Sequence, residues 1–136
     1  MYQITVEGHF DAAHALRGYQ GKCENLHGHR FRVIARVRTS RLNNIGLALD
    51  FRDLKSKLGE VLDRFDHSNL NEVTPFTDIN PSSENIASTV YSELQKKLPG
   101  FELFSIEVWE SPDAAAEYRP SIRLLRGMPG EPDTAA

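Results

Sequence analysis

The sequence predicts an α+β domain, with a four-stranded antiparallel sheet carrying two helices on one face. Three observations predict it. Apolar residues alternate in two early segments, recur with a helical period in the middle of the sequence, and alternate again near its end. The order is therefore strand, strand, helix, helix, strand, strand. At 136 residues the protein has the length of one domain and can bury a core without disulfides or a structural metal.

Each element has its own signal. In residues 2–10, Tyr2, Ile4, Val6 and Phe10 share one face, with Gln3, Thr5, Glu7 and His9 on the other. Residues 29–39 alternate again, Phe31, Val33, Ala35 and Val37 lying opposite Arg30, Arg32, Arg36 and Arg38. That arginine face is solvated or buried against a partner subunit. "RLNNIG" follows as a turn. From Asp50, a natural N-cap, the period becomes helical, with Phe51, Leu54, Leu58, Val61, Leu62 and Phe65 on one face. Residues 66–80 are rich in Asn, Asp, Ser, Thr and Pro and read as a loop. "NPSSEN" opens a second helix, with Asn80 as the expected cap and Pro81 in the first turn. Its apolar face is Ile86, Val90, Leu94 and Leu98, and "PG" at 99–100 ends it. Residues 103–110 return to strand, with Phe104, Ile106, Val108 and Glu110 on one face. After the turn "SPDA", a last strand over 116–125 carries Tyr118, Ile122 and Leu124. Residues 1–125 form the domain, and 126–136 read as a disordered tail. Four strands under one helix layer leave edges and a face uncovered, for which oligomerisation is a natural remedy.

Composition excludes several classes. A net charge of -3 argues against a general nucleic-acid binder. One cysteine rules out an intrachain disulfide and suits a reducing compartment. "MYQITVEGHF" lacks the basic-then-apolar pattern of a signal peptide, and no apolar run reaches the length of a membrane span. The protein reads as cytoplasmic. It has no glycine-rich phosphate loop, GxSxG or CxxC motif.

Its chemistry concentrates in "CENLHGHRF". His27 and His29, two residues apart in an extended segment, point to one side and offer two imidazole nitrogens to one ion. His14 in "FDAAHAL" lies at the same end of the sheet if the first two strands form a hairpin. Three histidines with a fourth position open make a catalytic zinc arrangement. The pair alone more often marks two surface or cap histidines. Cys23 beside Lys22 is either an activated thiol or an inert buried one. Asp66 next to His67 is either an oriented proton shuttle or helix C-terminal punctuation. Glu110 places a carboxylate where the strand pattern expects a buried residue, so it either lies past the core or grips a ligand's donors. Glu24, Ser82 and Ser83 read as loop and first-turn residues, although first-turn serines also present hydroxyls to polar ligands.

In order, "FDAAHAL", "CENLHGHRF", "LDF", "FDHSNLN", "NPSSEN" and "EVWES" resemble the 6-pyruvoyl-tetrahydropterin and 6-carboxytetrahydropterin synthase family over residues 3–120. The resemblance implies a tunnelling fold, with ββααββ subunits closing a trimeric barrel and two trimers forming a homohexamer. It implies Zn2+ on His14, His27 and His29, and 7,8-dihydroneopterin triphosphate as substrate. Cys23 matches the family's base, Asp66 and His67 its acid/base pair, Glu110 a pterin anchor, and Ser82 and Ser83 a hydroxyl pair holding the pterin. The sites lie between subunits. The short gap between Cys23 and "HGH" resembles the queuosine-pathway branch, which forms 6-carboxy-5,6,7,8-tetrahydropterin and releases acetaldehyde and triphosphate. The pyruvoyl branch has a longer gap. Glu24 beside Cys23 keeps open a folate-type reaction, in which the substrate's side arm is cleaved to leave 6-hydroxymethyl-dihydropterin. A non-catalytic pterin or zinc binder has no need of the proton relay.

Overall fold

The computed structural model describes residues 1–121, with the side group of Cys23 excluded. The expected strand positions Ile122 and Leu124 and the tail over 126–136 lie outside the described residues. Strand β1 (Tyr2–His14) pairs antiparallel with β2 (His27–Thr39), in a register that sets His14 opposite His27 and Ala12 opposite His29. Helix α1 (Phe51–Asp63) is capped by Asp50, whose carboxylate accepts from Arg52 N–H at 2.8 Å. A two-residue strand β3 (Ser68–Asn69) follows, then α2 (Ser83–Lys96), β4 (Glu102–Ser111) and β5 (Ala114–Tyr118).

Among the described residues the sheet has five strands in the order β3-β1-β2-β4-β5, rather than the four expected. The addition is β3, which pairs parallel to β1 through Ala12 and Ala13, so the sheet is mixed. Two residues carry no readable period. Strand β1 runs on to His14, four residues beyond the expected end, and its inward positions Phe10, Ala12 and His14 are all buried. The last strand begins at Ala114, two residues earlier than expected.

Both helices cover one face. Leu54, Leu58, Val61 and Leu62 of α1 and Ile86, Ala87, Val90 and Leu94 of α2 are buried against the inward residues of β1, β2 and β4. Gly8 interrupts the inward row of β1 because α1 comes close there: a Cβ would lie 3.0 Å from Leu62 Cδ1. Phe51 does not join the core and is 59% exposed; Leu49, just before the cap, is buried instead. The cap of α2 is Ser82, whose Oγ accepts from Asn85 N–H at 3.1 Å, and not Asn80. Pro81 thus precedes the helix.

Strand β4 departs from its simple alternation. Arg36 pairs with Ser105 but Val37 pairs with Leu103, so Phe104 is an extra residue at a bulge. Leu103 takes the inward place. Phe104 turns to the arginine face, its ring centre 3.4 Å from the Arg38 guanidinium carbon and 5.1 Å from that of Arg119. The rest of that face pairs its charges across strands: Arg30 with Asp11, Arg32 with Glu7, and Arg36 with Glu107. Among the described residues, no helix is long and apolar enough to cross a membrane.

Candidate metal centre and acid–base pair

Three histidines meet where β1 ends and β2 begins. His14 continues the inward row of β1, and His27 and His29 continue the inward row of β2 through Phe31. Their rings stand 4.6 to 5.2 Å apart, centroid to centroid, and each offers a ligand atom within 4.8 Å of the others. The Phe31 ring packs edge-on against His14 at 5.2 Å, and Phe31 stacks on Phe10 at 4.9 Å. The trio is therefore built on the floor of the core, not on a loose loop. His9 takes no part in it.

Hydrogen bonding fixes which nitrogens are free. His14 Nδ1 lies 2.7 Å from the Pro81 carbonyl oxygen, and His27 Nδ1 lies 2.6 Å from that of Asn25. A carbonyl can only accept, so both Nδ1 atoms carry the proton and both Nε2 atoms hold a lone pair. Among the described residues, the buried Nε2 atoms of His14 and His29 have no hydrogen-bond partner. Glu110 brings Oε1 to 3.2 Å from His14 Nε2 and 3.9 Å from His29 Nε2. A lone pair facing a carboxylate at that distance is repulsive unless a cation lies between them. Three imidazoles with a further position open are a donor set suited to a divalent transition metal, zinc above all, with the Glu110 carboxylate beside it. The residues fit the ion.

Burial, the larger effect, pushes the proton affinities of His14 and His29 down. The Glu110 carboxylate opposes it at both, and the Pro81 carbonyl opposes it further at His14. Both rings thus stay neutral and ready for a metal below the ordinary histidine value of about 6.5. Between the depressed folded values and about 6.5, the unfolded protein binds more protons than the folded one, so stability rises with pH there. The metal-free protein is expected to lose stability as pH falls through that window. Thermal melts at pH 7.5 and 5.5 check this, and an equal or higher midpoint at pH 5.5 would contradict it.

A second cluster forms at the edge of β1 where β3 joins it. His67 adopts a left-handed backbone (φ 56), and its N–H donates to the Asp11 carbonyl at 2.6 Å. The Asp11 N–H donates to Asp66 Oδ1 at 2.9 Å, and Asp66 Oδ2 stands 3.0 Å from His67 Nδ1. The Asp11 amide, chiefly, holds the Asp66 carboxyl below its usual range. Asp66 so presented fixes the proton of His67 on Nδ1 and leaves Nε2 open, on a ring 80% exposed. Asp11 itself forks onto Arg30 through Nε and Nη2 at 2.8 and 2.9 Å. His14 and Asp11 lie on opposite faces of β1, so the histidine trio and the Asp66–His67 pair occupy different sides of that strand.

Cys23 and Glu24 belong to a 3-10 turn, Lys22–Glu24, just before His27, and Glu24 is exposed. Ser82 is engaged as the α2 cap, and Ser83 begins that helix. Glu110 and His29 also line a cleft of about 600 Å³ with Gly28, Arg32 and Trp109. The roles of Pro81, Asn25 and Asp11 are not legible in the sequence. All three act through main-chain atoms, which leave no signature in residue type.

This mixed sheet with two helices on one face is the tunnelling fold of tetrahydropterin synthases. The nematode 6-pyruvoyl tetrahydropterin synthase of Caenorhabditis elegans superposes with a TM-score of 0.74 at 27% identity, over 88% of this protein and 96% of that one. A 6-carboxy-5,6,7,8-tetrahydropterin synthase of Synechocystis is 37% identical over 124 residues, 87% of this protein and 93% of the relative. One of Haemophilus influenzae is 32% identical over 142 residues, covering 88% and 99%. The family model described as 6-pyruvoyl tetrahydropterin synthase matches residues 3–121. The protein belongs to the 6-pyruvoyl tetrahydropterin synthase family.

Proposed function

We propose that the protein is a zinc-dependent lyase that converts 7,8-dihydroneopterin triphosphate to 6-carboxy-5,6,7,8-tetrahydropterin, with release of acetaldehyde and triphosphate. The observation that carries the reading is the meeting of His14, His27 and His29, with the Nε2 atoms of His14 and His29 unpartnered among the described residues. Its relatives named as carboxytetrahydropterin synthases support the branch.

In this reading His14, His27 and His29 hold Zn2+. Bound there, zinc supplies Lewis acidity that makes the C–H protons beside the substrate's side-arm hydroxyls more acidic. Cys23 acts as the base that moves one of those protons. His67 shuttles protons at Nε2, while Asp66 orients its ring and stabilises the imidazolium. Glu110 accepts from donors of the substrate. Ser83 and the capping Ser82 offer hydroxyls to the pterin. The trio and the Asp66–His67 pair face different sides of β1, so the working site joins two protomers, as in a homohexamer with intersubunit sites.

Glu24 sits beside Cys23 in the same turn and is the residue through which cleavage of the side arm would arise. Incubation of the zinc-loaded protein with 7,8-dihydroneopterin triphosphate, read by mass spectrometry, tests the assignment. The expected product is 6-carboxy-5,6,7,8-tetrahydropterin. Release of 6-hydroxymethyl-dihydropterin instead would overturn the branch, and an unchanged product pattern and rate in Glu24→Ala would remove Glu24 from the chemistry.

A further inference from the structure

We propose that Arg17 is a positioning residue of the metal centre. It holds the Pro81 carbonyl against His14 Nδ1 and thereby keeps the Nε2 lone pair of His14 directed at the ion. The inference rests on the metal-binding reading above.

Pro81 ends a segment that begins at Leu70 and has little regular structure beyond the 3-10 turn Leu70–Glu72. Its internal bonds are local, such as Phe76 N–H to Val73 O at 2.7 Å and Asp78 N–H to Pro75 O at 3.0 Å. Local bonds shape a loop but do not fix where it sits. Leu70 and Phe76 anchor it in the core, and its polar attachment to β1 comes from the residues just after His14. Asn71 pairs with the backbone of Ala15 in both directions, at 2.9 Å each. Asn80 does the same with the backbone of Arg17, at 2.8 and 2.9 Å. Between them the Arg17 guanidinium donates to the carbonyls of Asn71 at 3.3 Å, Phe76 at 2.7 Å and Ile79 at 3.2 Å.

One planar, permanently charged fork thus gathers three carbonyls spread along the segment, next to the residue whose carbonyl orients His14. An ammonium cannot span them, because its three donors radiate from one atom. The helix side of Pro81 is fixed separately, by the Ser82 cap, and Asn85 donates to the Asn80 carbonyl just before it at 2.9 Å. The Pro81 carbonyl is therefore held from both ends, and Arg17 supplies the end attached to the strand that carries His14. Without the guanidinium, three carbonyls lose a charged donor, and the segment is held to β1 only by its buried Leu70 and Phe76 and by the Asn71 and Asn80 bonds to main chain, which leaves the Pro81 carbonyl less firmly placed. His14 Nδ1–H then loses its acceptor, and the ring samples the tautomer whose Nε2 carries the proton. Outer-shell partners of metal-bound histidine typically account for about 10- to 100-fold in metal affinity.

The test compares wild type, Arg17→Ala and Arg17→Lys. Ring 15N NMR of the metal-free proteins reads the His14 tautomer, and competition with a chelator reads Zn2+ affinity. The wild type is expected to show Nδ1–H alone. Arg17→Ala is expected to show mixed tautomers and to bind Zn2+ at least about tenfold more weakly, with Arg17→Lys in between. A folded Arg17→Ala or Arg17→Lys with the wild-type tautomer and affinity would overturn the proposal, even if its melting temperature fell, because such a fall marks a structural role only. If Arg17→Ala fails to fold, Arg17→Lys alone decides. A wild type that binds no Zn2+ would instead defeat the metal reading, while the tautomer comparison would still judge the role of Arg17.

Discussion

Replacing His27 with alanine is expected to remove the metal and stop turnover together. Of the three proposed ligands it is the one whose loss least disturbs the fold. Its ring is partly exposed, whereas His14 is fully buried, and its Nδ1 bond goes to the nearby Asn25 carbonyl. Its loss therefore leaves β2 and the Phe10–Phe31 stack in place. Outer-shell changes alone typically weaken metal binding by about 10- to 100-fold, so loss of a ligand is expected to exceed about 100-fold. Two imidazole nitrogens would remain, too few to hold zinc against a strong chelator. Zinc content by elemental analysis, with circular dichroism to confirm the fold, checks this. Full zinc occupancy in His27→Ala would remove His27 from the ligand set.

The opposite dissociation is expected at Cys23. Cys23→Ala should keep zinc at the wild-type level and lose about 10²- to 10⁴-fold in product formation, the range typical of a missing general base. The 3-10 turn that carries Cys23 is closed by main-chain bonds, Glu24 N–H to Gly21 O at 3.2 Å and Asn25 N–H to Lys22 O at 3.1 Å. Those bonds do not use the thiol, so the turn and the neighbouring His27 should survive the change. Loss of zinc in this variant would make the thiol a ligand rather than a base. Unchanged product formation would leave the reaction without an assigned base.

The two variants probe residues that the sequence itself exposes, and the reason is physical. His27 and His29 stand two apart on a strand whose inward row is otherwise Phe31, Val33, Ala35 and Val37, so their direction can be read from period alone. His14 is less legible. Ala12 and Ala13 blur the alternation, and the readable pattern stops at residue 10, yet the ladder continues to His14 opposite His27. Glu110 shows the same logic at the other end, as a carboxylate kept in register with Ile106 and Val108. Phe104 shows where period fails. The bulge beside Val37 inserts one residue, and everything before it in β4 changes face.

What stays hidden depends on main-chain partners or on distant segments. The two-residue β3 leaves no pattern, and the cap of α2 shifts from Asn80 to Ser82 because Asn80 is engaged with Arg17. The contacts that set the histidine tautomers, and those that hold His67 against Asp11, end on backbone carbonyls, which every residue type carries. Nothing in residue type announces them. The alternation of charge across β1, β2 and β4 is legible as an arginine face, but its pairing with Asp11, Glu7 and Glu107 needs the strand order.

The most direct measurement of the central claim is product formation from 7,8-dihydroneopterin triphosphate before and after metal removal. The active protein is expected to hold one zinc ion in each protomer, to form no product after exhaustive chelation, and to recover when Zn2+ is added back to the folded apo-protein. Undiminished product from fully stripped protein would contradict zinc dependence, whatever the histidine cage then proves to hold.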